Sequence, residues 1–283
     1  IGPELFEDLA VIRTSELLSA HRLDGAEQYF TRAIDFGYSF STEETFRRWG
    51  KQEILGDFVR MIRTLRPDVI VAMRPEGAGG GQHHQTTGLL MQEAFRAAAD
   101  PAQVPEQMRE GLKPWQPKKL YFAGGFGGGP GAPAPPAGPG LVRVDSAVFD
   151  PLLGRTYANI GAEARTMHKC QGMGQFLPLP GMAAATYRLS DTAIPGQIDK
   201  TEAFIFDGVD TSVAGLAQYA GPTPPNALTK GLATIAAAAT SAQRAFETRG
   251  DTAAIQPILD GLTATRTLRQ QLGTLGLGEI ANY

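Results

Sequence analysis

The sequence is poor in cysteine, in charge and in long apolar runs, and each shortage excludes a class of protein. Its 283 residues include one cysteine, Cys170, which excludes an internal disulfide and a multi-cysteine metal site. No stretch approaches the ~20 apolar residues that span a bilayer. Charged residues make up 19% of the chain and the net charge is −3. Because the Lys and Arg residues are scattered, neither nucleic acid nor an anionic membrane is an expected partner.

Helices and short apolar strands alternate in the first half of the chain. Apolar spacing predicts helices where it repeats every three to four residues, and continuous apolar runs predict strands buried on both faces. The predicted helices cover residues 5–24, 51–65 and 86–99, and the predicted strands cover residues 68–73 and 119–123. This order of elements predicts an α/β fold with a parallel sheet covered by helices.

Weaker signals lie between the first two long helices. Residues 26–33 predict a short helix. Ser41 and Glu44 fit a capping box, in which each side chain satisfies a backbone amide at the start of a helix.

The rest of the chain contains a low-complexity segment and a pair of helices. Residues 124–140 are almost entirely Gly, Ala and Pro, which predicts a flexible, exposed loop. A phosphate-binding glycine loop is disfavoured, because no Lys-Ser/Thr follows and the prolines remove amide donors. Helix patterns over 226–248 and 252–273 predict an antiparallel hairpin. We therefore divide the chain into a domain over 1–215 and a helical extension over 216–283.

Two adjacent histidines, His83 and His84, follow a glycine run about ten residues after the strand at 68–73. Neutral imidazole binds transition metals, and the turn after a strand is a common ligand site in α/β folds. A zinc site needs at least three protein ligands, yet the sequence has no H-E-x-x-H and no other complete set. A solvated turn is the alternative interpretation of the pair.

Six runs spread over most of residues 1–215 carry a more specific signal. They are IGPELFEDLAVIRTSELLSAHRLDGAEQYFTRAIDFGYSFS, LRPDVIVAM, GGGQHHQTTGLLMQEAFRAAADP, KPWQPKKLY, DPLLGRTYANIGAEARTMHKCQGMG and IFDGVDTS. In this order they resemble the PIG-L (LmbE-like) deacetylases, in their larger bacterial branch. The resemblance implies a Rossmann-like three-layer fold and one Zn2+ ion. It also implies removal of an acetyl group from an N-acetylglucosamine-type sugar.

The resemblance also assigns metal-site residues. Alignment through Gly88 places a zinc ligand at His84, while the first histidine of the family's His-x-x-His motif falls on Gly81, a departure. His83 then either takes over a catalytic role, as the group that stabilises the oxyanion, or is the ligand itself. The other ligands and the carboxylate base belong to a His-Pro-Asp-Asp motif, which we expect ahead of residue 1.

Three residues resemble sugar-binding positions of the family. Arg13 stands in an Arg-x-x-Glu pattern with Glu16, and a surface ion pair is the alternative. Asp35 is otherwise an Asx-turn residue, and His168 is otherwise a structural hydrogen-bonding group. Cys170 is expected to be a small buried thiol rather than a nucleophile.

Two functions compete for this combination of residues. The first is a zinc-dependent amidohydrolase acting on an N-acetylated sugar or a related small amide. The second is a non-catalytic sugar-binding or structural subunit with a degraded metal site. A nucleotide-dependent enzyme is disfavoured, because no G-x-G-x-x-G follows a first strand. A periplasmic or secreted location is favoured over a cytoplasmic one, and a homo-oligomer is left open.

Overall fold

A computed structural model describes residues 7–76, 81–123, 138–172, 174 and 184–278. The helices are α1 (Glu7–Asp24), α2 (Thr42–Trp49), α3 (Lys51–Leu65), α4 (Gln82–Ala97), α5 (Pro105–Arg109), α6 (Tyr157–Thr166), α7 (Asn226–Arg249) and α8 (Asp251–Thr274). The strands are β1 (Val69–Met73), β2 (Lys119–Ala123), β3 (Leu141–Asp145), β4 (Phe149–Asp150), β5 (Arg155–Thr156) and β6 (Ala184–Thr192). The fold is a mixed α/β fold. Within the described ranges, no helix is both long and apolar enough to cross a membrane.

The main sheet has the strand order β1-β2-β6-β3 and is mixed rather than parallel. β1 and β2 are parallel, whereas β6 runs antiparallel to both β2 and β3. The predicted all-parallel sheet is therefore wrong for the described strands. The reason is that β6 has polar residues among its apolar ones and is partly exposed, so it lacks the continuous apolar run of a buried parallel strand. The Rossmann-like, three-layer arrangement stays a prediction.

The core around β1 and β2 is built from the apolar faces of α3 and α4. Ile54, Val59 and Ile62 of α3 are nearly inaccessible and pack against Leu90 and Ala94 of α4. The opposite side of α4 covers the sheet, where Phe95 packs against Leu120 and Phe122. This packing fixes α4 against the sheet, and with it the first turn that carries the two histidines.

A buried arginine closes the C-terminal end of α4. Arg63, only 1% exposed, donates hydrogen bonds to the backbone carbonyls of Ala97, Ala98, Asp100 and Gln103 at 2.8–3.3 Å. These carbonyls lie at and beyond the last turn of the helix, where carbonyls have no amide partner within the helix. Burial lowers the pKa of Arg63 from its usual value.

A second buried polar cluster lies against β2. Lys119 and Glu202 form an ion pair of 2.5 Å whose side chains are 0% and 1% exposed. The hydroxyl of Tyr121 and the amide of Gln197 also donate to the Glu202 carboxylate. Burial, followed by the hydrogen bond to Glu202, raises the pKa of Tyr121. The cluster connects residues 197–202 to the sheet through charge-assisted hydrogen bonds.

The chain forms two compact units, residues 1–208 and residues 209–283. In the second unit, α7 and α8 form the predicted hairpin. Its core contains Leu228, Leu232, Leu268 and Leu272. The predicted domain boundary at residue 215 stays a prediction. Of the predicted loop 124–140, residues 124–137 lie outside the described residues, and Gly138 forms an isolated bridge with Leu141.

Candidate active site

The second turn of α4 lies against the carboxyl end of β1. A methyl group added at Gly88 would stand 2.6 Å from the carbonyl oxygen of Met73 and 2.8 Å from the backbone nitrogen of Pro75. Only glycine permits so close an approach of helix and strand. At the start of the helix, Gly81 adopts a φ of +71°, and the amide of Gln82 donates to the carbonyl of Ser39. The carboxyl end of a parallel strand is a preferred place for ligands in α/β sheets.

His83 and His84 both lie in the first turn of α4 rather than in the loop before it. Successive residues of a helix point about 100° apart, so the two rings face different surroundings. His84 is exposed, whereas His83 is half-buried. The two imidazoles therefore do not form one pair of adjoining ligands, and His84 is the one open to an ion from solvent.

Two aromatic rings enclose His83. Its ring stacks on Trp49, with 5.1 Å between centroids and 12° between planes, and meets Phe36 edge-on at 4.5 Å. Burial lowers the pKa of His83 from its usual 6.5, with an opposing effect from the Asp35 carboxylate. Its Nε2 atom is buried and has no hydrogen-bond partner among the described residues. His83 is thus a neutral imidazole at pH 7, held by packing rather than by hydrogen bonds.

Asp35 lies on the His83 side of the molecule and is exposed. Its carboxylate accepts a hydrogen bond from the amide of Gly37 at 2.8 Å, the geometry of an Asx turn. One carboxylate oxygen can satisfy this turn while the other remains available to a ligand.

Arg13 and His168 come together around Glu16, far from one another in sequence. The guanidinium of Arg13 donates to the Glu16 carboxylate, which also accepts from the amide of Cys170 at 2.5 Å and from its thiol at 3.1 Å. Burial, followed by the positive charges of Arg13 and Arg165, lowers the pKa of His168. Its Nδ1 is buried and has no partner in the described part of the chain.

Cys170 is half-buried and contacts Glu16 rather than an apolar pocket. Burial, followed by the hydrogen bond to the Glu16 carboxylate, raises the pKa of its thiol. Because only the thiolate is a strong nucleophile, this environment disfavours nucleophilic chemistry at Cys170.

The predicted site residues thus fall into two groupings. One contains Asp35, His83 and His84, and the other contains Arg13 and His168. Among the described residues, no hydrogen bond or ring contact joins the groupings. Sequence reasoning missed Phe36 and Trp49 as neighbours of His83, and it missed the contact between Glu16 and Cys170. These contacts join residues that are far apart in the sequence, so no local pattern predicts them. The Arg-x-x-Glu pattern indicated Glu16 but not its contact with Cys170.

The described residues contain no group of three His, Cys, Asp or Glu side chains able to hold a metal ion. His84 nevertheless has the donor chemistry and the exposure that a zinc ligand needs. A zinc ion at this position therefore requires further ligands from outside the described set. The described residues therefore supply one zinc ligand and not a complete zinc site.

Comparison with known proteins finds a family match over the first third of the chain. Residues 2–95 match the family described as PIG-L: GlcNAc-PI de-N-acetylase. The chain is 29% identical over 126 residues to the mycothiol S-conjugate amidase of Streptomyces coelicolor, a match that covers 42% of either protein. The chain therefore spans less than half the length of this curated relative.

A solved structure gives a more distant likeness. It is the N,N'-diacetylchitobiose deacetylase from Pyrococcus horikoshii in complex with its inhibitor MPG, at 20% identity and a TM-score of 0.40. That likeness covers 58% of this chain and 51% of the deacetylase. The family match, which runs from α1 to near the end of α4 and includes both histidines, is the more informative of the two likenesses. Over residues 2–95, this chain is similar to the PIG-L family.

Proposed function

We propose that this protein is a zinc-dependent hydrolase that removes an acetyl group from an N-acetylglucosamine-type sugar or a related small amide. The observation that carries the proposal is the position of His84. It is an exposed imidazole in the first turn of α4, at the carboxyl end of β1, within the segment that matches de-N-acetylases. The amidase activity named for the curated relative supports the same class of reaction.

His84 is proposed as a zinc ligand. Zinc, when bound, would supply a Lewis acid that activates water and polarises the amide carbonyl. The helix places the imidazole at the carboxyl end of β1, where none of the described residues forms a competing hydrogen bond with its ring. The remaining ligands and the carboxylate base are proposed to come from residues beyond those described.

His83 is proposed to stabilise the negative charge that develops on the carbonyl oxygen. A neutral imidazole has one N–H donor, and the lowered pKa of His83 keeps it neutral at pH 7. The stack on Trp49 and the edge contact with Phe36 limit rotation of the ring. A donor fixed in this way loses little orientational freedom when the substrate binds.

Arg13, His168 and Asp35 are proposed to hold the sugar. Glu16 orients the Arg13 guanidinium, while the remaining N–H groups of Arg13 stay available for sugar hydroxyls. His168 adds a neutral ring nitrogen, and Asp35 adds a carboxylate oxygen that the Asx turn leaves free. The assignment of all three to the substrate extends the family resemblance to these positions.

The test pairs activity with metal content. The full-length protein is purified without chelator, its zinc content is measured, and release of free amine from N-acetylglucosamine glycosides is followed by a fluorescent amine reagent. We expect His84→Ala to lose zinc and to lower kcat/KM at least about 100-fold, which corresponds to ~2.7 kcal/mol. The control is His21→Ala, which removes a histidine of α1 that bonds to Asp24 and Gln28 and should change neither quantity.

His83 is tested with two substitutions. His83→Phe keeps a ring beside Trp49 and removes the donor, while His83→Gln restores a donor without the ring. A donor role requires that the Gln variant keep more activity than the Phe variant. Two results together would overturn the proposal in favour of a binding subunit. The zinc-replete protein would hydrolyse no N-acetylated sugar or amide, and its zinc content would not change in the His84→Ala variant.

A further inference from the structure

An apolar stripe runs along the outside of α8. Ile255, Ile258, Leu259 and Leu262 are 54%, 56%, 48% and 41% exposed. Their spacing of three and four residues places all four on one face of the helix. Single exposed apolar residues are ordinary, but four large aliphatic side chains in a row form a patch, and patches mark interaction sites.

The same half of the hairpin has an interior made of small residues. Towards the α7–α8 turn, Gly261 faces Ala238, and Ala245 and Ala254 are both buried. At the other end of the hairpin the interior contains leucines, with Leu268 and Leu272 only 5% and 4% exposed. The large aliphatic side chains of this half of α8 therefore face away from α7, where only a third surface can bury them.

Charged residues at the two ends of the stripe indicate which kind of surface can pack against it. Asp251 lies four residues before Ile255, and Arg266 lies four residues after Leu262, so both continue the same face. In an antiparallel pair of α8 helices centred between residues 258 and 259, Asp251 of each copy stands opposite Arg266 of the other. A parallel pair would place Asp251 against Asp251 and Arg266 against Arg266, which is repulsive.

We propose that this stripe is a dimer interface, in which α8 packs antiparallel against α8 of a second copy about a two-fold axis. The surface is self-complementary, as a two-fold interface requires, because Ile255 meets Leu262 and Ile258 meets Leu259. Four aliphatic side chains offer on the order of a few hundred Å² per copy, below the ~800 Å² per partner of a standard interface. We therefore expect a weak dimer, with a Kd of about 1–100 μM.

The first test measures association directly. Sedimentation velocity of the full chain up to about 500 μM should show a monomer–dimer equilibrium in the expected range. Leu259→Glu places a carboxylate on the axis and should raise Kd at least about tenfold, whereas Thr267→Glu adds the same charge to another face of α8 and should not. A chain that stays monomeric throughout, or a dimer that Leu259→Glu leaves unchanged, would overturn the interface.

The second test determines the register and does not depend on a disruptive charge. It uses single cysteines on α8 in a Cys170→Ser background, with mild oxidation of the dimer. Residue 258 lies beside the two-fold axis, so Ile258→Cys should cross-link to itself. Two copies of residue 255 are offset by about 10 Å along the helices, too far for a disulfide, so Ile255→Cys should not.

An equal mixture of Ile255→Cys and Leu262→Cys chains completes this test and should cross-link across the interface. A parallel dimer would cross-link Ile255→Cys to itself as efficiently as Ile258→Cys. That outcome would contradict the antiparallel arrangement.

Discussion

Replacing Gly88 by alanine tests whether the close contact between α4 and β1 holds the candidate site in place. The added methyl group would stand 2.6 Å from the Met73 carbonyl oxygen, 2.8 Å from the Pro75 nitrogen and 3.1 Å from the Arg74 carbonyl carbon. All three are backbone atoms, which cannot rotate away as a side chain can. Either α4 or the end of β1 must therefore move.

Two opposing effects determine the size of the change. Forcing one extra carbon into a packed contact costs about 1–3 kcal/mol. The better helix propensity of alanine returns up to about 1 kcal/mol. Because the contact is with backbone, we expect the collision to dominate and the free energy of unfolding to fall by about 1–2 kcal/mol. The displacement should also weaken activity, since His84 lies one helical turn from the collision.

The assay is urea unfolding followed by tryptophan fluorescence. Both tryptophans, Trp49 and Trp115, lie in the unit formed by residues 1–208, so the signal reports on that unit. The matched control is Gly56→Ala in α3, where the nearest atom to the added methyl group is 3.8 Å away. This control should keep or raise stability through helix propensity alone. A Gly88→Ala variant as stable as Gly56→Ala would refute the reasoning.

Further substitutions concern buried polar groups. Arg63→Met should lower the free energy of unfolding by about 3 kcal/mol in the same assay, because four backbone carbonyls each lose one hydrogen bond, while Arg60→Met on the surface should have little effect. Lys119→Met should cost about 3–5 kcal/mol by leaving a buried carboxylate unpaired, and adding Glu202→Leu should restore part of the loss. A double variant no better than Lys119→Met would contradict this.

The remaining prediction in that series concerns pH and Glu16. Burial alone would raise the pKa of its carboxyl, but the Cys170 amide and thiol and Arg13 hold it below the usual 4.5. A depressed pKa contributes stability above pH 4.5, and that contribution is lost as pH falls through the folded value. Between pH 6 and pH 3, the free energy of unfolding measured in urea should therefore fall less for Glu16→Gln than for the wild type. An equal fall in both proteins would exclude this contribution of Glu16.

Local periodicity made several elements predictable. The helix predicted over residues 51–65 is α3, and the strand predicted over 119–123 is β2. Half of the capping box is confirmed: the Ser41 hydroxyl accepts from the amide of Glu44 at 3.0 Å, whereas the Glu44 carboxylate accepts from Arg48. These elements were accessible because their signals lie within a few residues along the chain.

Long-range contacts explain where sequence reasoning was wrong. The short helix predicted over residues 26–33 is absent from this described segment; instead Asp57 holds the amide and guanidinium of Arg32. α4 begins at Gln82, ahead of the predicted residue 86, because the positive φ of Gly81 sets the start of the helix. β6 was not predicted, because its partly exposed sequence shows neither the helical nor the strand periodicity of apolar residues. None of these contacts has a local sequence signature.

The candidate site was predictable only in part for the same reason. The importance of His83 and His84 could be inferred from the glycine run and the family resemblance. The different environments of the two rings could not, because they depend on Phe36 and Trp49, which lie far from them in the chain. The meeting of Arg13 with His168 likewise depends on the packing of α1 against the segment around Cys170.

Each of the two compact units has its own apolar core, and this has a consequence for how the sequence can diverge. The leucines of the α7–α8 hairpin belong to one core, while α3, α4 and the sheet form others. Substitutions that change the hairpin, and with it the proposed dimer, are therefore constrained by the packing of one core. Substitutions near the candidate site are constrained by the packing of the other cores. Selection on assembly and selection on reaction would then act on separate stretches of one gene.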